Sequence, residues 1–205
     1  MPGTPLPTLQ TFELGDLASY TREGSFSDHD SPDYRVFYVG RDDVHGILEY
    51  LLEHCTSQLK LNMFGYDDDQ LNARIERLVH DRHVYVQGTL DKSQAGGVHE
   101  RKILAGWAPE MRASFAIGQS ATHQISHTKG GVLDGLVAWE GSTNWSASGE
   151  GTGLIPGHAL TPGVKAQNNT LTVHTNPVQV RRFGQELDEE HATALHQATQ
   201  VAPAA

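Results

Sequence analysis

Apolar residues along the first two thirds of the chain alternate between two spacings, one typical of strands and one typical of helices. Tyr34 to Val39 is a β-branched and aromatic run that predicts a strand. Asp42 and Asp43 can cap the helix that follows. Apolar residues at helical spacing give that helix one apolar face, namely Val44, Ile47, Leu48, Leu51 and Leu52. Leu59 to Phe64 then predicts a buried strand.

The same alternation continues as far as Gly118. A second amphipathic helix is predicted by the apolar residues Leu71, Ile75, Leu78 and Val79. His83 to Gln87 predicts a third strand, His99 to Trp107 a shorter helix that Pro109 stops, and Arg112 to Gly118 a fourth strand. Because strands that alternate with helices need crossover connections, this order favours a largely parallel sheet.

The alternation of strands and helices stops between Ile125 and Ser146. Gly130 and Gly131 predict tight turns that join short strands in the interior of the sheet. Residues 147–166 are rich in glycine, serine and proline and predict a long loop. Asn169 to His174 predicts the last strand, and Pro177 opens a C-terminal helix.

These elements predict one α/β domain with a mixed, largely parallel β-sheet flanked by helices on both faces. A chain of 205 residues is long enough for one sizeable core. We expect residues 1–33 to form a flexible N-terminal arm, in which Leu14, Leu17 and Tyr20 make a short docked turn. Residues 34–198 then form the domain and residues 199–205 a frayed tail.

The composition restricts the partners that the chain can bind. Its 25 acidic residues against 15 Lys and Arg give a net charge of -10, which argues against a broad basic surface for nucleic acid or anionic lipid but not against a local basic groove. The single cysteine, Cys55, excludes an internal disulfide and is expected in the core. No stretch resembles a signal sequence or a transmembrane segment, so a cytoplasmic location is expected, with export of a processed form as the alternative.

The candidate catalytic residues lie between Ile125 and Ser146, where the alternation of strands and helices stops. His127, Lys129 and Asp134 form the pattern H-x-K-x-x-x-x-D, and Gly141-Ser142-Thr143-Asn144 follows a short apolar run. On an extended backbone, residues two apart share a face, so an imidazole and an ammonium would project together with a phosphate between them. The serine and asparagine of the second motif would add hydrogen-bonding groups. Phosphodiester hydrolysis needs such a nucleophile, an acid and donors to the phosphoryl oxygens.

These residues, in this order and separation, resemble the signature of the phospholipase D superfamily, and the similarity runs from about Tyr34 to the C-terminal helix. The resemblance implies a metal-independent phosphodiesterase that uses no cofactor and forms a phosphohistidine intermediate. By resemblance, His127 is the nucleophile or the acid, Lys129 and Asn144 hold the phosphate, and Ser142 hydrogen-bonds nearby. Asp134 belongs to the catalytic motif, but its expected role is to stabilise the structure and not to contact the substrate.

A complete site in this superfamily needs two copies of the motif, and the chain has one. The other histidines lack a lysine two residues on, as at His99, His123, His158 and His174. The resemblance therefore implies a homodimer that brings two copies of His127 together across a twofold axis. Small bacterial endonucleases of the superfamily are built in this way, which favours a nucleic-acid phosphodiester as the substrate.

One departure from those endonucleases concerns the residue that orients the catalytic histidine. They commonly carry a glutamate in the strand after the long loop, and the closest positions here are Asn168 and Asn169. With Asn169 as the candidate, an imidazole N–H still finds an acceptor, but no charge stabilises the imidazolium. We expect lower activity or another acid in that role, with Glu140 and Glu150 as candidates.

Two patterns leave a metal site open. His123 and His127 have the spacing of zinc ligands on a helix, with His99 or His158 completing the set, although the segment is predicted as strand. The acidic triplet Asp67-Asp68-Asp69 is interpreted as a helix N-terminus, with a metal site as the alternative.

Other functions also stay open on the sequence alone. A phospholipase or phosphatidyltransferase would use residues 154–160 as an acyl-chain entrance, although no amphipathic basic helix lies beside them. A weakly active phosphate-binding module would follow from the missing glutamate. Trp139, Trp145 and Tyr66 are candidates for stacking on single-stranded nucleic acid, with burial in the core as the alternative.

Overall fold

The structure, a computed structural model, describes residues 11–158, 162–163 and 165–201, without the side chains of His99, Gln200 and Val201. The strands are β1 (Tyr34–Tyr38), β2 (Gln58–Met63), β3 (Tyr85–Asp91), β4 (Phe115–Gly118), β5 (Lys129–Leu133), β6 (Val137–Gly141) and β7 (Thr170–His174). The helices are a 3-10 helix (Leu14–Tyr20), α1 (Val44–Glu53), α2 (Asp69–His80), α3 (Val98–Gly106), α4 (Pro109–Ser114), α5 (Ala147–Glu150) and α6 (Pro177–Val201). Residues 1–10 and 202–205, which belong to the predicted arm and tail, lie outside the described residues.

All seven of these strands form one mixed sheet in the order β1-β7-β6-β5-β2-β3-β4. The pairs β2–β3 and β3–β4 are parallel, as crossover connections through α2 and through α3 with α4 require. The other four pairings among the described residues are antiparallel. The predicted mixed α/β sheet is confirmed, but its parallel part is smaller than expected, because β5, β6 and β7 follow one another as an antiparallel meander.

Helices cover both faces of the sheet, as predicted. On β2, Leu59 and Leu61 point into the main hydrophobic core, which α1, α2 and the 3-10 helix help to form. Lys60 points to the other face, where its Nζ pairs with Asp188 of α6. A smaller apolar cluster beneath α6 includes Val132, Ala138, Val180 and Leu187. The alternation along β2 therefore separates an apolar face from a partly polar face under α6.

Polar caps fix the helix boundaries that the sequence predicts. The Asp43 carboxylate accepts the Gly46 amide at the start of α1. The Asp68 carboxylate accepts the amides of Gln70 and Leu71 at the start of α2. These bonds satisfy amide groups that have no partner inside a helix, and they complement the helix dipole. The helix-cap interpretation of the acidic triplet is thus confirmed at Asp68.

Two predicted elements differ between residues 109 and 135. Residues 109–114 form α4, so the fourth strand begins at Phe115 and not at Arg112. Pro109 opens this helix, since a proline at the first position has no amide to leave unpaired. Gly130 and Gly131 do not form turns but lie inside β5, paired to β2 and β6. The turn that follows has Asp134 and Gly135 at its centre, both with positive φ, and the Leu136 amide donates to the Leu133 carbonyl oxygen.

Part of the predicted N-terminal arm packs on the domain. The 3-10 helix at Leu14–Tyr20 places Leu14 and Leu17 in the core, which confirms the docked turn. The Asp42 carboxylate accepts the Tyr38 and Arg22 amides and so ties this segment to β1. Cys55 is buried, as predicted. No helix among the described residues is both long and apolar enough to cross a membrane.

Candidate active site

The candidate site lies where the carboxyl end of β2 meets the amino end of β5. These ends coincide because the two strands are antiparallel, with Met63 paired to Lys129. Phe64 follows β2 directly, and its ring contacts both motif residues. The Phe64 and His127 ring centroids lie 4.6 Å apart in an edge-on arrangement, and the Lys129 Nζ lies 4.7 Å from the Phe64 ring centroid. An imidazole and an ammonium are therefore held against one aromatic ring.

The strand that was expected to carry both residues does not include His127. We expected His127 and Lys129 to share one face of a strand, but β5 begins at Lys129, and His127 precedes it. The Lys129 side chain is buried, and its Nζ donates a hydrogen bond to the His127 carbonyl oxygen at 2.8 Å, whereas His127 is exposed. The two residues meet through this bond and through Phe64.

Burial changes the electrostatics of Lys129. Loss of solvent lowers the pKa of its ammonium from the usual value, and the Asp91 carboxylate partly offsets that effect. Because little water competes for the ammonium, its attraction for a phosphate oxygen is stronger than that of a surface lysine. Lys129 is thus suited to bind an anion.

The neighbours of His127 in sequence are held by long-range hydrogen bonds that the sequence did not reveal. The Ser126 amide donates to the buried Asp91 carboxylate at 2.6 Å. The Thr128 hydroxyl donates to Glu190 of α6 at 2.6 Å. Asn62 of β2 donates to Ser126 and also to Glu190. Asp91 therefore holds the backbone before His127 and Glu190 holds the side chain after it, although neither belongs to a motif.

The second motif reaches the same end of the sheet because β6 returns antiparallel to β5. The Asn144 carboxamide oxygen accepts the Gly65 amide at 3.2 Å, directly after Phe64. Its nitrogen, which carries both donors, is not used in that bond. The Ser142 hydroxyl instead accepts the Thr170 amide and donates to Asn169, so it joins β6 to β7. Asn144 therefore lies against the backbone that follows Phe64, whereas the Ser142 hydroxyl links two strands.

The candidates for orienting His127 have other contacts. Asn169 hydrogen-bonds to Ser142, to the Gly149 carbonyl and to Gln167, and no bond to His127 is found among the described residues. Glu150 is buried against His45. Glu140 lines a separate cavity that includes His174. The structure thus gives none of the three acidic or amide candidates a contact with the imidazole.

Acidic residues nearer to His127 come instead from α6. A cavity of about 220 Å³ is lined by His127 together with Glu186, Glu189 and Glu190. Ile125, which is about half exposed, lines the same cavity. Sequence reasoning missed these glutamates because α6 is distant along the chain, and its helical pattern alone does not say which strand end it covers.

Asp134 lies at the far end of β5, five residues of strand and roughly 16 Å from Lys129. Its carboxylate accepts hydrogen bonds from the amides and hydroxyls of Thr56 and Ser57 and from the Gln58 amide. Burial opposes its ionisation, but these donors outweigh burial and lower the pKa of Asp134. Such a position supports a structural role and not a catalytic one.

The other candidate sites from the sequence are the histidine pair, the acyl entrance and three aromatic residues. His123 and His127 are both exposed, and neither belongs to a metal-ligand cluster within the described part of the chain. The His99 side chain and residues 159–160 of the proposed acyl entrance lie outside the described residues. Trp139, Trp145 and Tyr66 are buried, so they fill the core and offer no stacking surface.

Comparison with known proteins identifies the fold. A scan against protein-family models finds no match, and a search of curated proteins finds none. Among solved structures, NucT from Helicobacter pylori matches with a TM-score of 0.60 and 13% identity over 78% of this chain and 96% of NucT. Nuc from Salmonella typhimurium, a phospholipase D family member, matches with a TM-score of 0.54 and 12% identity, covering 77% of this chain and 92% of Nuc.

The match extends to a larger protein. Phosphatidylserine synthase from Haemophilus influenzae matches with a TM-score of 0.55 and 13% identity over 86% of this chain, but over 39% of the synthase. The α/β fold and the resemblance to the phospholipase D superfamily predicted from the motif are therefore confirmed at the level of the fold.

Proposed function

We propose that this chain, which has the phospholipase D fold, is a phosphodiesterase that acts through a phosphohistidine, with nucleic acid as its substrate and a homodimer as its active form. The observation that carries the proposal is the placement of His127, the buried Lys129 and Asn144 at one end of the sheet around Phe64 and Gly65. These side chains supply a nucleophile and donors for a phosphate.

The chemistry follows from these groups. The Lys129 ammonium and the Asn144 amide bind the non-bridging oxygens, which accumulate charge in the transition state. His127 of one protomer attacks phosphorus, and the P–O bond to the leaving group breaks. The second His127 protonates the leaving oxygen and then takes a proton from water, which attacks the phosphohistidine and releases the imidazole. No redox step is involved.

The need for two histidines supports the homodimer. One chain carries one motif, and His127 is exposed, so its imidazole is accessible to a second copy. A twofold axis through this surface would place two equivalent half-sites face to face. Activity per chain should then rise with protein concentration and level off where sedimentation shows the dimer.

Cleavage without divalent ions tests the reaction type. EDTA-treated protein is incubated with DNA, RNA and an activated phosphodiester, and labelled phosphate that is stable to alkali but released by acid is sought on the protein after a denaturing quench at alkaline pH. We expect cleavage by the native chain, and a loss of at least about 10³-fold in His127→Ala, because the nucleophile is removed. His80→Ala changes an exposed histidine on α2 and serves as the control. Full cleavage by His127→Ala would overturn the proposal.

A phospholipid substrate is the second candidate, and one observation favours it. The cavity beside His127 carries three glutamates and the half-exposed Ile125, which suit a cationic headgroup next to an acyl chain better than a polyanion. Release of choline or ethanolamine from vesicles, with no cleavage of DNA or RNA, would select this candidate. Phosphate binding with no turnover of any substrate would select a binding module.

A further inference from the structure

A second cluster of reactive side chains lies in the core and contains no residue of the motif. It joins three separate segments: His45 in the first turn of α1, Asp68 at the start of α2 and Glu150 at the end of α5. The His45 Nδ1 lies 2.5 Å from the Glu150 Oε2 and 3.8 Å from the Asp68 Oδ2. One ligand atom from each residue lies within 4.8 Å of the others, and all three residues are buried.

The two carboxylates of this cluster would be stabilised by a bound cation. Two carboxylates face one imidazole where little solvent screens their repulsion. Glu150 is 0% exposed, and its Oε1 has no hydrogen-bond partner among the described residues. A buried carboxylate oxygen without a donor is costly, and a bound positive ion is one group that would satisfy it.

The surrounding groups orient the cluster as metal ligands are usually oriented. The His45 Nε2 lies 3.2 Å from the Gln70 side-chain oxygen, an acceptor that places the proton of a neutral imidazole on Nε2 and leaves Nδ1 as a lone pair. The Asp68 Oδ1 accepts the Gln70 and Leu71 amides, so its other oxygen is directed to His45. Asp68 can therefore cap α2 and bind an ion at once.

We propose that His45, Asp68 and Glu150 bind one divalent transition-metal ion, with Zn²⁺ as the best match to one imidazole and two carboxylates. Zinc–ligand bonds of about 2.0–2.2 Å in a tetrahedron separate ligand atoms by roughly 3.4 Å. The His45–Glu150 contact would open by about 1 Å and the His45–Asp68 contact would shorten slightly. Water would supply the fourth ligand.

The ion would be structural and not part of the reaction. It would link α1, α2 and α5, and α5 follows closely after Asn144 in the chain. Asp68 lies on the segment that begins with Gly65, whose amide holds Asn144. The ion would thus steady the position of Asn144 without contacting the phosphate.

Metal binding is measured directly and without substrate, so its outcome is separate from that of the cleavage assays. The full-length chain is stripped with EDTA, dialysed and titrated with Zn²⁺, Mn²⁺ or Mg²⁺ by calorimetry, and Co²⁺ spectra report the coordination geometry. We expect one Zn²⁺ per chain, a raised melting temperature and a tetrahedral Co²⁺ spectrum without thiolate bands. Glu150→Gln and His45→Gln should weaken Zn²⁺ binding by about 100-fold or more.

Asp68→Asn covers the case in which those variants do not fold. Asparagine keeps the cap on α2 but removes the charge, so Zn²⁺ binding should weaken while the helix is retained. His80→Gln, at an exposed histidine on α2, should bind Zn²⁺ as the native chain does. The proposal is overturned if the native chain binds no stoichiometric metal, or if Asp68→Asn and Glu150→Gln bind it as tightly as the native chain. The cluster would then be an ion pair in which Glu150, against the effect of burial, raises the pKa of His45 to about 9.

Discussion

The ring of His127 packs against the ring of Phe64, with centroids 4.6 Å apart and planes at 67°. Phe64 also lies under the Lys129 ammonium, so one apolar side chain limits the positions of both the imidazole and the ammonium of the motif. Phe64 is outside the motif, yet its ring contacts two of the motif's side chains, so changing it should affect activity.

Phe64→Leu should lower kcat/KM by roughly 10–100-fold, since a displacement of about 1 Å in a reacting group costs that much. Folding should be largely retained, because leucine fills most of the space. Steady-state kinetics and the melting temperature measure the two effects. Phe12→Leu, at a partly buried phenylalanine near Tyr50, is the matched control and should leave kcat/KM unchanged. A normal rate for Phe64→Leu would mean that Phe64 does not position the motif.

Lys129 should determine the alkaline limit of activity. Its pKa is lowered by burial, so the ammonium loses its proton at a lower pH than an exposed lysine does. As pH rises through that value, the phosphate loses a positive ligand and KM should rise. Lys129→Arg keeps its charge throughout, so its remaining activity should show no such alkaline increase in KM. An identical alkaline limit in both proteins would assign the limit to another group.

Asp134→Asn should destabilise the fold by about 2 kcal/mol at pH 7, as expected for lost charge-assisted hydrogen bonds. Asparagine tolerates the positive φ of this position, so the change tests the charge and not the turn. The folded pKa of Asp134 is below its usual value of 3.8, so its stabilisation is complete above that value and is lost as pH falls through the folded pKa.

Urea unfolding at neutral pH and near pH 3 measures this difference. The gap between the native chain and Asp134→Asn should narrow at the lower pH. Asp28→Asn, at an exposed position, should unfold as the native chain does at both pH values. A gap that is independent of pH would show that the carboxylate charge is not what stabilises the hairpin.

Neutralising the α6 acids should distinguish the two substrates. If nucleic acid passes the cavity beside His127, Glu186→Gln combined with Glu189→Gln should lower KM for DNA by about 3–10-fold at low salt, with little effect at high salt. If a cationic headgroup binds there, the same variant should raise KM for vesicles. Asp28→Asn with Glu110→Gln removes equal charge at exposed positions elsewhere and should change neither KM markedly. An unchanged KM for both substrates would place the substrate away from α6.

Structural features were predictable from the sequence where the residues that cause them are neighbours in the chain. The boundaries of α1 and α2 were predictable because Asp43 and Asp68 cap helices a few residues away. Gly130 and Gly131 were misinterpreted as turns because their cause is not local. A Cβ at Gly130 would overlap the Trp139 carbonyl oxygen, and one at Gly131 would overlap the Trp139 ring. Glycine is needed there for a neighbouring strand, which the sequence does not identify.

In the candidate site, too, features with local causes were predictable and features with long-range causes were not. In the structure His127 and Lys129 both contact Phe64, and Asn144 accepts the amide of the next residue, Gly65. Their supports were not predictable, because Asp91 and Glu190 reach the His127 segment from distant elements. The pairing of His45 with Glu150 spans 105 residues and has no sequence signature.

The hairpin formed by β5 and β6 accounts for the interval between Lys129 and Gly141 in this chain. The chain leaves this end of the sheet at Lys129, turns at Asp134-Gly135 and returns with Gly141 and Asn144. The number of residues between Lys129 and Gly141 is therefore set by the lengths of β5 and β6 and not by the reaction. Lengthening both strands by one full pleat would keep every side chain on its face and leave the site intact. A search that fixes the interval would overlook such a chain.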